Sequence, residues 1–112
     1  MKYPKIYFDC YQAAIQIFNR TKAFPKQLRP TLGRKLEESS IDCLLSIQKA
    51  CVTTREVRVN HLKKASDSLD NLRTLIQFSR DLNALNTGGL SELSTLTMEI
   101  GKEIGGFIKS EK

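Results

Sequence analysis

The chain has 112 residues, 40% apolar and 27% charged, the balance of a single water-soluble domain over residues 1–112. No apolar run approaches the ~20 residues of a membrane span, and no basic-then-apolar leader opens the chain, so a cytoplasmic protein without a membrane partner is expected. The net charge of +6 excludes an acidic surface and makes the position of the positive charge the first question.

The first helix is predicted from about Tyr3 to Thr21. Ile6, Cys10, Ala14, Ile17 and Phe18 recur at helical spacing, and Tyr7, Tyr11 and Ile15 widen the apolar face. Pro25 forbids continuation, and Pro30 suits the first turn of a second helix from about Pro30 to Val52. Its main stripe is Leu32, Leu36, Cys43, Leu44, Ile47, Ala50 and Cys51. Thr53 and Glu56 have the spacing of a capping box, which predicts a long third helix from about Thr54 to Leu85. Asn86-Thr87-Gly88-Gly89 breaks the pattern, and either Asn86 or Thr87 would cap a fourth helix reaching about Lys109. No segment alternates with period two. Short loops between long helices predict an all-α, antiparallel up-down-up-down four-helix bundle.

One bundle core does not use all of this apolar surface. Ile41, Leu45 and Val52 form a second stripe on the second helix, away from its main one. On the third helix Leu69, Leu72, Leu75, Ile76, Phe78, Leu82 and Leu85 spread over roughly 200°, about twice a normal core stripe. Contiguous exposed apolar patches mark interfaces, so a homo-oligomer is expected, with Ile41, Leu45, Val52, Leu75 and Phe78 at its contacts. The alternative is that long neighbouring side chains cover both stripes. Gly101 and Gly105 lie four apart on the last helix, with Gly106 following. Glycine inside a helix costs about 1 kcal/mol relative to alanine, so a close helix–helix contact is expected there, within the bundle or between subunits.

No catalytic constellation emerges. His61 has no partner, and Glu37, Glu38 and Asp42 sit beside Arg34 and Lys35 as i,i+4 ion pairs rather than a metal site. Cys10, Cys43 and Cys51 have no paired spacing and read as buried thiols in a reducing compartment. There is no phosphate-binding loop, dinucleotide fingerprint or nucleophile motif, so neither enzyme, metal nor cofactor is expected.

Charge position is more telling. Residues 1–35 carry +7, and the remaining 77 residues carry −1. Arg20, Lys22, Lys26, Arg29, Arg34 and Lys35 crowd one turn. Arg73 and Arg80, seven apart on the third helix, would extend a basic track or pair across an interface with acids such as Asp70 or Asp81. Without a groove-reading motif, such a cluster binds RNA or DNA through phosphates, with strong salt dependence and no sequence preference. A solvated basic surface, or a dock for an acidic protein, remains open. Tyr7 and Tyr11 are candidates for base stacking, against packing in a core or interface.

Several segments resemble the accessory variability (Avd) proteins of diversity-generating retroelements, within the wider family of four-helix bundle proteins encoded in ribosomal RNA intervening sequences. They are Phe24-Pro25-Lys26, Thr31-Leu32-Gly33 with Leu36-Glu37, Leu72-Arg73, Arg80-Asp81-Leu82, and Gly101-Lys102 followed by Gly105-Gly106-Phe107-Ile108-Lys109. The resemblance runs from about Arg20 to Ser110, and Phe107 stands where the family often has Trp. It implies a homopentameric barrel of bundles with a positive surface. It also implies nucleic-acid binding and association with a reverse transcriptase in mutagenic retrohoming. The competing expectations are a protein-binding scaffold and an orphan bundle protein with no retroelement role.

Overall fold

Ile6, Cys10, Ala13, Ala14 and Ile17 share one face of a helix, and in the computed structural model, which describes residues 2–111, all five are buried. This helix, α1, runs Lys5–Thr21; it starts after Pro4, whose extended backbone (φ −70°, ψ 166°) sets the entry. Next come a short 3-10 turn at Lys26–Leu28, a π turn at Arg29–Gly33, and α2 at Arg34–Val52. The helix expected from Pro30 to Val52 is thus present, but it opens on a π turn. Pro30 has no N–H to donate, and the ladder opens so that the Arg34 N–H reaches the Arg29 carbonyl.

The third helix, α3, runs Arg55–Asp81, and α4 runs Thr87–Ser110. The capping box expected at Thr53 is not formed. Thr54 takes the cap position with extended backbone and no side-chain cap bond, which moves Glu56 to the second helical residue, out of box register. The end of α3 is also corrected, by four residues. Asn83 adopts the left-handed conformation (φ 62°). The Ala84 N–H then returns to the Ser79 carbonyl and the Asn83 N–H to that of Arg80, a Schellman close. Asn86 caps α4, its Oδ1 accepting from the Gly89 N–H at 2.7 Å.

The fold is an all-α four-helix bundle. Each helix packs on its two neighbours in the ring α1–α2–α3–α4, antiparallel to both. The 43 Å length of the molecule fits the 27 residues of α3 at ~1.5 Å per residue. Ile17, Ile47, Leu62, Ile76 and Ile100 bring all four helices into one core. Each such side chain contributes roughly 1.5–3 kcal/mol by leaving water. Phe24 and Leu85, both from loops, plug the end where α1 and α3 finish and α2 and α4 begin. No helix among the described residues is long and apolar enough to cross a membrane.

At the opposite end Lys5 ties α1 to α4, its Nζ donating to Asp9 at 2.6 Å and to Glu103 at 3.2 Å. The end of α4 is fastened by Glu111, whose carboxylate meets Arg58 at 2.6 Å and Arg55 at 3.1 Å. The Arg58 hydrogen bond holds the Glu111 carboxyl below the usual glutamate value of 4.5, with partial burial opposing and the Arg55 charge assisting. A lowered folded-state value means that the pair stabilises fully above pH 4.5, and that this contribution fades as pH falls through the folded-state value. Urea titrations of the wild type and Glu111→Gln should therefore differ at neutral pH and converge on acidification. Curves that stay equally separated in acid would remove the pair from the account.

Candidate nucleic-acid interface

The bundle topology gathers the basic residues at the end closed by Phe24 and Leu85. Lys22 follows the last turn of α1, Lys26 and Arg29 lie in the connecting turns, and Arg34 and Lys35 open α2. Arg20 and Arg80 occupy the last turns of α1 and α3. Arg73 lies two turns deeper, on the side of α3 that faces α4, where its guanidinium covers Gly101.

These eight side chains differ in how far the fold engages them. Arg20 bridges to α4, with Nη2 3.1 Å from Glu92 Oε2. Arg29 Nε donates to the Phe24 carbonyl at 3.0 Å and closes the turn, leaving the rest of its exposed guanidinium outward. Arg34 lies 3.4 Å from Glu38, one helical turn on. Arg73 Nη2 donates to the Thr97 carbonyl at 3.2 Å. Lys22, Lys26 and Lys35 are exposed and have no ion-pair partner among the described residues. Arg80 is half-buried, and within its own helix Asp81 accepts from Gln77 Nε2 at 3.1 Å.

The chemistry available is that of an exposed cationic edge. Three exposed ammonium groups, with Arg29 and Arg34 between them, offer donors to phosphate oxygens and no rigid pocket that would select a base. Behind them the frame is firm. Thr21 Oγ1 donates to Glu37 at 2.6 Å and joins the end of α1 to the start of α2. Sequence reasoning missed Glu92, which neutralises Arg20 from 72 residues away, and no local pattern marks that pairing. Of the two tyrosines considered for stacking, Tyr7 is packed against Tyr3 with ring centroids 4.1 Å apart, while Tyr11 is exposed.

The seven expected contact residues are spread over α2, α3 and α4. Ile41, Leu45 and Val52 point outward along α2, Leu45 being 50% exposed. Leu75 and Phe78 line the α2–α3 seam at the basic end, Phe78 being 51% exposed. Gly101 belongs to the α3–α4 seam. A Cβ there would stand 2.6 Å from Arg73 Nη2, so the space that this glycine leaves is used by a guanidinium, not by a neighbouring backbone. Around Gly105 nothing lies within 4 Å of the missing Cβ. Gly105→Ala should therefore raise the stability of the isolated bundle by about 1 kcal/mol. Thermal unfolding checks this: a lower Tm would mean that the open face is packed against something in solution.

Comparison with known proteins adds one positive finding. A model of the bAvd-like family matches residues 7–111, nearly the whole chain. No curated protein matches it.

Proposed function

The chain belongs to the bAvd-like family, and on that premise we propose that it is the non-catalytic accessory protein of a diversity-generating retroelement. In this reading it holds RNA or cDNA by the phosphates and docks a reverse transcriptase, supporting mutagenic retrohoming. The observation that carries the reading is the set of exposed, unpaired lysines, Lys22, Lys26 and Lys35, which the bundle gathers at one end. Self-association strengthens it. The exposed apolar residues along α2, Ile41, Leu45 and Val52, would build a ring, five subunits by analogy with the Avd proteins, and a ring repeats the cationic edge so that weak contacts act together.

Light scattering with and without a short single-stranded RNA, at low and at moderate salt, tests both parts. A mass near five subunits with salt-sensitive RNA uptake is the expected result. A monomer that ignores RNA at low salt would overturn the reading.

A further inference from the structure

The basic end carries a feature that phosphate binding does not use. An open groove of about 760 Å³ runs between the start of α2 and the end of α3. Its floor is apolar: Leu28 and Leu32 on one side, Leu75, Phe78 and Leu82 on the other. Leu82 is 41% exposed, so the lining faces water over much of its area. Arg34, Lys35 and Glu38 form its rim, a positive balance.

We infer that this groove docks one face of an amphipathic helix, on a partner protein, whose apolar residues are flanked by Asp or Glu. Spacing and charge choose that occupant. Leu75, Phe78 and Leu82 repeat at i, i+3 and i+7, the length of two helical turns, and offer ridges to anchors of the same spacing. A largely aliphatic floor with a single aromatic ring gives bases no stacking platform. The positive rim favours carboxylate flanks and repels basic ones. The α1 stripe of a second copy fits poorly, because the one acid of α1, Asp9, is held by Lys5 and leaves Phe8, Tyr11 and Ile15 without free carboxylate flanks. The inference does not rest on RNA binding, and the two are separately testable.

The probe is a dye-labelled synthetic helix of about four turns with Leu at the anchor positions and Glu beside them. Its comparison is the same peptide with Lys in place of Glu, and binding to the full chain is read by anisotropy. The Glu-flanked peptide should bind at least about tenfold tighter than the Lys-flanked one. Phe78→Asp should lose about tenfold or more of that affinity. Leu82→Asp should act in the same direction, and Lys35→Glu should narrow the gap between the two peptides. Equal affinity for both peptides would overturn the inference, as would wild-type affinity in both aspartate variants. A fall in solution mass on Phe78→Asp would give the groove to a second copy of the chain and overturn it equally.

Discussion

Replacing Arg58 by alanine is expected to lower the unfolding free energy by about 3 kcal/mol. The Tm should fall by roughly 12 °C or more. Arg58 lies in the first turn of α3 but serves two other parts of the fold. Its Nε donates to the Ala50 carbonyl at 2.9 Å and its Nη2 to the Thr53 carbonyl at 3.0 Å. Both carbonyls belong to the end of α2, where the helix supplies no partners of its own. Its Nη1 holds Glu111 at 2.6 Å, and the guanidinium stands 5.7 Å from the centre of the Phe107 ring. Truncation orphans two backbone acceptors and releases the end of α4 in one step. Lysine would restore one charge but not the fork, so Arg58→Lys should recover less than half of the loss. Arg34→Ala is the proper contrast. Its pair with Glu38 is exposed on both sides and should cost about 0.5 kcal/mol or less. Denaturant titration decides the matter. Equal losses in the two alanine variants would reduce Arg58 to an ordinary surface residue.

Arg58 also explains a limit of the sequence reading. The four helices were legible because apolar residues repeat at helical spacing over long segments, and that signal is local. Where α3 begins is not a local matter. A guanidinium takes the Thr53 and Ala50 carbonyls, and the cap moves from Thr53 to Thr54. The other end of α3 was misread for a different reason. Leu82 and Leu85 continue the apolar pattern, yet Leu85 is buried from the loop, and the turn is made by Asn83, a residue type that tolerates the left-handed conformation. A stripe cannot reveal whether its last member reaches the core from a helix or from the turn after it.

The basic end divides in the same way. Its position was legible, because charge per segment needs no structure. Its composition was not. Arg20 and Lys22 look equivalent in sequence, yet one faces Glu92 across the bundle and the other points into water. Gly101 looked like a site of backbone approach and is occupied by the guanidinium of Arg73, which takes that residue partly out of the basic track. These distinctions depend on which side chains meet across the seams, and they decide which variants are informative.

The unpaired lysines are the sharpest test of phosphate binding. Changing Lys22, Lys26 and Lys35 to Glu together should weaken RNA binding by about a hundredfold or more at low salt. If each lysine meets one phosphate of a single strand, the slope of log affinity against log salt should fall by about 2 per bound subunit, at ~0.7 per contact. Folding should survive, because none of the three makes an ion pair with the described residues and all are exposed. Net charge alone also attracts RNA, so the comparison must hold it constant. Lys63, Lys102 and Lys109 are exposed and outside the basic end, and their joint change to Glu alters the total charge by the same amount. A local cationic edge predicts a large loss for the first set and a small one for the second. Equal losses would mean that the whole surface attracts RNA without a site. No loss in either set would leave the basic end free for an acidic protein, the occupant that the neighbouring apolar groove already favours.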